Sequence, residues 1–64
     1  MYHVEYLTND DYMFGRNPVN LPNIRTMSVM SGRILLTDDD NYIYNLNPMH
    51  MHSLSIYHQK EKEG

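Results

Sequence analysis

Residues 24–46, IRTMSVMSGRILLTDDDNYIYNL, carry the clearest structural pattern in this chain. They contain three runs rich in apolar and β-branched residues, a composition typical of β-strands. The dipeptide SG at 31–32 separates the first two runs, and the aspartates at 38–40 separate the second run from the third. Glycine and aspartate are favoured in tight turns. The stretch therefore predicts three antiparallel strands connected by two hairpin turns.

A further strand and a short helical turn are predicted before this stretch. Tyr2, Val4 and Tyr6 alternate with other residues, which predicts an N-terminal strand with these three side chains on one face. The run TNDD at 8–11 resembles a helix capping box, and Gly15 lies where a helix begun there would end. We therefore expect a strand followed by a single short helical turn.

Two other segments have weaker patterns. Residues 15–23 contain a glycine, prolines and asparagines, and they predict a loop that Val19 and Leu21 hold against the core. Residues 48–60 fit either a strand or a helix that starts at Pro48. The run SLSIY within them favours the strand, because serine, β-branched and aromatic residues are poor helix formers.

These elements predict one mainly β domain over residues 1–58, with a small α+β fold as the variant. The expected architecture is an antiparallel meander or small barrel of four to five short strands with one short helical turn. We expect the meander to run from residue 24 onward, with the N-terminal strand added at an edge or closing the barrel. Residues 59–64, QKEKEG, predict a charged flexible tail.

The size and composition of the chain argue against an enzyme. Sixty-four residues bury only about 60% of the surface that the unfolded chain exposes, which leaves little room for a deep substrate cavity. The chain has no cysteine, and its three glycines form no phosphate-binding loop and flank no serine in a nucleophile elbow. We therefore expect a non-enzymatic protein without a cofactor.

The charge pattern argues against nucleic acid and membranes as partners. The net charge is −3, with five Lys and Arg against eight Asp and Glu. Binding to phosphates needs clustered cations, and the arginines here are scattered. No apolar run approaches the roughly 18 residues of a membrane span, and the N-terminus has no signal-peptide pattern. We therefore expect a cytoplasmic protein.

Two histidine patterns could bind a metal ion. The run MHMH at 49–52 combines thioether and imidazole groups that suit copper, and in a strand His50 and His52 would point the same way. His3 could join a free N-terminal amine in chelating Cu(II) or Ni(II). Zinc sites use three or four protein ligands, and only two are local here. We therefore expect no metal site, and a copper- or nickel-binding protein is the weakest alternative.

The tyrosines and methionines favour a role in recognition. There are six of each, and both types are enriched in protein interfaces. If Ile43 is a core residue, the tyrosines on either side of it face outward; alternatively, tyrosine and methionine fill the core. The aspartates at 38–40 form a solvated turn and lack the glycine of a calcium loop. The predicted partner-binding residues are Tyr42, Tyr44, Arg33, Asp38, Asp39 and Asp40.

The leading hypothesis is a small binding module that docks on a larger protein and inhibits or modulates it. The absence of alanine and the many asparagines and tyrosines are common in small phage proteins. A phage-encoded inhibitor of a host enzyme, acting in the host cytoplasm, is therefore the concrete version. The alternative is a self-assembling β subunit, a homodimer through its sheet edges, that binds nucleic acid or another ligand only as an oligomer.

Overall fold

The computed structural model describes residues 1–58 and shows one open sheet of five antiparallel strands in the order β4-β3-β2-β1-β5. The predicted mainly β fold with one short helix is confirmed. The predicted tail at 59–64 lies outside the described residues. The strands are β1 (Tyr2–Thr8), β2 (Val19–Met30), β3 (Arg33–Asp38), β4 (Ile43–Leu46) and β5 (Met51–His58), with helix α1 (Asn9–Met13) and a 3-10 turn (Pro48–His50) between them.

The order of the strands differs from the predicted order. Strands β1 to β4 form the meander, and β5 returns across the sheet to pair with β1. The expectation that the N-terminal strand lies at an edge or closes a barrel is therefore wrong, because β1 lies between β2 and β5. The physical reason is a match of apolar faces, since Val4 lies opposite Ile56 and Tyr6 lies opposite Leu54.

Strand β2 is longer than its sequence pattern indicates. Residues 19–23 were expected in a loop, but Val19 and Leu21 pair with β1 and extend the strand. The register of this pairing shifts just after Leu21, and Asn23 adopts a φ of 63°. Pro22 is tolerated at such an irregularity, and this end of β2 has no pairing with β3.

The tight turns follow the local sequence. Ser31 and Gly32 both have positive φ, at 52° and 72°, as a type I′ hairpin turn requires. The Thr8 side chain caps α1 by accepting a hydrogen bond from the backbone N–H of Asp11 at 3.0 Å. Asn47 caps the 3-10 turn in the same way, and the chain then continues as β5. The strand alternative for this last segment is therefore confirmed over Met51–His58, and residues 59–60 lie outside the described residues.

The hydrophobic core covers one face of the sheet. Cross-strand pairs such as Val4 with Leu21 and Met27 with Leu36 place the apolar positions on that face. Partly buried side chains, including Tyr6, Tyr44 and Leu54, pack around it. No helix in residues 1–58 is long and apolar enough to cross a membrane. The buried core residues are Val4, Leu21, Ile24, Leu36 and Leu46.

Candidate protein-binding surfaces

Asp38 organises the turn between β3 and β4. Its Oδ1 atom accepts hydrogen bonds from the backbone N–H groups of Asp40 and Tyr42, both at 2.9 Å. Its Oδ2 atom accepts a hydrogen bond from the Tyr44 hydroxyl at 3.2 Å. Both carboxylate oxygens are thus engaged within the turn. Asp38 therefore holds the turn together and is poorly placed to contact a partner directly.

Tyr44 belongs to the rim of the core. It lies opposite the fully buried Leu36, whereas Ile43 lies opposite Thr37 on the other face and is 61% exposed. Burial raises the pKa of the Tyr44 hydroxyl above its usual value, and the hydrogen bond to Asp38 and that carboxylate's charge raise it further. Of the two alternatives for the tyrosines, the one with Ile43 in the core and Tyr44 facing outward is therefore wrong, and Tyr44 packs against the core as the other alternative states.

Of the two tyrosines predicted to bind a partner, Tyr42 is the exposed one. Its ring centroid lies 4.7 Å from that of Tyr44, and 61% of its surface is accessible. Asp39 and Asp40 are exposed beside it. We call Asp39, Asp40, Tyr42 and Ile43 the turn surface.

The predicted Arg33 does not join the turn surface. It begins β3 and pairs with Met30, at the opposite end of the strand from Asp38. The two positions are five residue steps apart along the strand, which is roughly 17 Å. A different cation lies at the turn instead, because the Arg25 guanidinium donates a hydrogen bond to the Asn41 side chain. Arg25 was not recognised from the sequence, since the irregular start of the β2–β3 pairing is not visible there.

We expect Asp38→Ala to lower the free energy of unfolding by about 1–3 kcal/mol, because it strips backbone donors and the partly buried Tyr44 hydroxyl of their acceptor. The matched control is Asp39→Ala, an exposed neighbour whose replacement should change stability by less than about 0.5 kcal/mol. Urea denaturation followed by circular dichroism measures both. Equal losses in the two variants would show that Asp38 does not organise the turn.

The histidines do not form one metal-ligand group in the described residues. His50 lies in the 3-10 turn, while the ring of His52 stacks on Tyr12 with centroids 3.7 Å apart. A register shift at the start of β5 interrupts the face that the two were expected to share. His3 hydrogen-bonds through Nε2 to the Asn20 side chain at 2.9 Å. The carboxylates of Asp38, Asp39 and Asp40 do converge, within 4.8 Å of one another.

A second exposed surface lies at α1, which contacts β1 and β5. Three successive large side chains there point largely into solvent, and the Asn9 side chain donates to the carbonyl of Met49 at 3.5 Å, which brings Met49 to the same end of the sheet. The exposed fractions are 58% for Tyr12, 78% for Met13, 70% for Phe14 and 85% for Met49. We call these four residues the helix-end surface.

Charged and polar groups border the helix-end surface. The Arg16 guanidinium lies 5.3 Å from the centroid of the Phe14 ring, in the range of a cation–π contact. The same guanidinium forms an ion pair with Asp11 at 3.2 Å. A groove of about 310 Å³ lies nearby, lined by Thr8, Asn9, Asp10 and His50. The surface thus has an apolar centre and a polar border, as protein interfaces commonly do.

The sequence does not predict the helix-end surface directly, because residues 12–14 are expected there only as part of a helical turn. A signal was present nonetheless. A helix of five residues presents only one narrow face to the sheet, so it cannot bury three large apolar side chains in succession. The run YMF at 12–14 before Gly15 therefore predicts exposed apolar area.

No protein-family model, curated protein or solved structure matches this chain at a significant level.

Proposed function

We propose that this chain is a non-enzymatic protein-binding module that docks on a larger protein and inhibits or modulates it. One observation carries the proposal. In residues 1–58, eleven large apolar side chains are exposed, whereas five hydrophobic residues are buried. Small proteins expose some apolar area in any case, but contiguous exposed patches mark interaction sites.

The helix-end surface is the proposed main docking site. Phe14 and Met13 project from a short helix anchored by the Thr8 cap and by the stack of Tyr12 on His52. Their burial against a partner removes apolar area from water without unfolding the sheet. Asp11 and Arg16 on the border supply charges of both signs. The partner that fits is a protein with an apolar cleft whose rim carries polar groups.

The turn surface is the second candidate docking site. Tyr42 offers a rigid aromatic side chain, and such side chains are frequent hot spots of binding energy. Asp39 and Asp40 would speed association with a basic partner. A phage-encoded inhibitor of a host enzyme remains the concrete version of the proposal, and it is supported by the size and composition of the chain.

Affinity capture with matched variants tests the proposal. The tagged protein, a Met13→Ser/Phe14→Ser variant and a Tyr42→Ser/Ile43→Ser variant are each incubated with lysate of the native source cells, and bound proteins are quantified by mass spectrometry. Both variants should keep the circular dichroism spectrum of the folded sheet, because the changed residues are exposed.

We expect a protein captured by the unaltered chain to be lost with the helix-end variant and kept with the turn variant. The reverse result would move the docking site to the turn surface. If the unaltered chain enriches no protein over either variant, the proposed function is wrong.

A further inference from the structure

The outer edge of β5 is the longer of the two open edges in the described sheet. Strands β4 and β5 are the outermost strands, with four residues in β4 and eight in β5. Each outermost strand has backbone N–H and C=O groups on its outer side that pair with no strand of residues 1–58. Such a row of groups is a ready template for another strand.

The edge of β5 lacks the features by which proteins block such pairing. Natural edge strands carry lysine, proline or bulges, or are very short. The segment SLSIYH at 53–58 contains no proline, lysine, arginine or acidic residue. The one irregularity of β5 lies before this segment, next to His52. In contrast, β4 is short, and Pro48 follows two residues after its end.

We propose that two copies of this chain associate through their β5 edges, in antiparallel pairing about a twofold axis at Ser55, to form one continuous sheet. This self-association is independent of the proposed binding of a larger protein. The occupant is a second copy because the strand complements itself. Directly opposite residues of an antiparallel pair lie on the same face of the sheet, and this condition limits the possible registers.

The register centred on Ser55 gives compatible side-chain pairs on both faces of the sheet. It places Leu54 of each copy opposite Ile56 of the other, and this pair continues the apolar face on which Leu54 already lies opposite Tyr6. On the other face Tyr57 lies opposite the small Ser53. Ser55 meets its own copy at the axis, where a small side chain avoids a clash.

Electrostatics also permit this pairing. Segment 53–58 contains no lysine, arginine, aspartate or glutamate, so this register brings no such like charges face to face within the segment. Ile56 and Tyr57 are 47% and 54% exposed, so both have apolar area left to bury. An isologous contact of this kind closes at two copies, because each copy uses its single β5 edge.

Cysteine cross-linking tests the register directly, because the chain has no cysteine of its own. Directly opposite residues in an antiparallel pair have Cα atoms about 4.5–5.5 Å apart, within the range that a disulfide spans. We therefore expect Ser55→Cys to form disulfide-linked dimers under mild oxidation at least about tenfold faster than two control variants. The controls are Ser53→Cys, which lies opposite Tyr57, and Asn45→Cys on the open edge of β4.

Two outcomes of the cross-linking would overturn the proposal. Equal rates in all three variants would mean random collisions, and faster linking of Asn45→Cys would place the contact on β4. Non-reducing electrophoresis distinguishes these outcomes.

Sedimentation equilibrium tests the association without cross-linking. We expect the unaltered chain to exceed its monomer mass of 7.6 kDa at concentrations on the order of tens of micromolar. Ser55→Lys, which brings two ammonium groups together at the axis, should raise the dimer Kd at least about tenfold. The Ser55→Lys variant should still fold, because Glu5 lies opposite position 55 in β1 and carries the opposite charge. The control Asn45→Lys adds the same charge on β4 and should leave the Kd unchanged. A monomer mass throughout would overturn the proposal.

Discussion

Leu36→Ala is expected to lower the free energy of unfolding by about 2–5 kcal/mol, the usual range for emptying a buried leucine site. Leu36 has no exposed surface and lies at the centre of the core, between Met27 on β2 and Tyr44 on β4. A chain of 64 residues has a total stability of roughly 3–10 kcal/mol at ordinary values per residue. At the middle of these two ranges the substitution should therefore remove about half of the total stability. Urea denaturation followed by circular dichroism measures the loss.

The matched control is Leu35→Ala, the same substitution one residue earlier. Leu35 is only partly buried and lies on the opposite face of β3, because successive side chains alternate across a strand. Its loss should be less than half that of Leu36→Ala. If both variants lose the same stability, or Leu35→Ala loses more, the core is not confined to the face described here.

Phe14→Ala is expected to weaken binding to the captured partner protein by at least about 30-fold in Kd, which corresponds to about 2 kcal/mol. Phe14 is 70% exposed, so the free chain does not depend on it for its core. In a complex, the ring would be desolvated together with the Arg16 guanidinium that already lies over it. Isothermal titration calorimetry measures the change, and most of it should appear as faster dissociation in a kinetic experiment.

Val29→Ala serves as the control for this prediction. Val29 is 74% exposed near the tip of the β2–β3 hairpin, away from α1, so its replacement should leave the Kd within about twofold. Phe14→Ala with unchanged affinity and an intact circular dichroism spectrum would remove the helix-end surface from the binding site.

Local chemistry was readable from the sequence wherever a few neighbouring residues decide the backbone. Ser31 and Gly32 closed the hairpin as expected, and Thr8 capped α1 as its spacing from Asp11 indicated. The segment that starts at Pro48 has sequence features of both a helix and a strand, and both elements form. One 3-10 turn follows Asn47, and the strand begins at Met51. In each case the deciding interactions span four residues or fewer.

Pairings between distant segments were not readable. Whether β5 pairs with β4 or with β1 depends on which strand offers the better apolar face. Val4 and Tyr6 provide that face on β1, about fifty residues before their partners in β5. The orientation of Tyr44 depends on the register of β4 against Leu36, which the Asp38 turn sets. Phe14 is exposed because α1 is too short to cover it. Exposure depends on how α1 packs on the sheet, which residues 9–14 alone only suggest.

Methionine oxidation in the free and the partner-bound protein tests whether the chain docks through the helix-end surface. Met13, Met49 and Met30 are 78%, 85% and 61% exposed, so hydrogen peroxide should oxidise all three readily in the free chain. Mass spectrometry of proteolytic fragments then compares their rates. If the chain docks through the helix-end surface, binding should slow oxidation of Met13 and Met49 at least about fivefold and leave Met30, at the hairpin tip, unchanged. Protection of Met30 with unchanged rates at Met13 and Met49 would show that the chain does not dock through the helix-end surface.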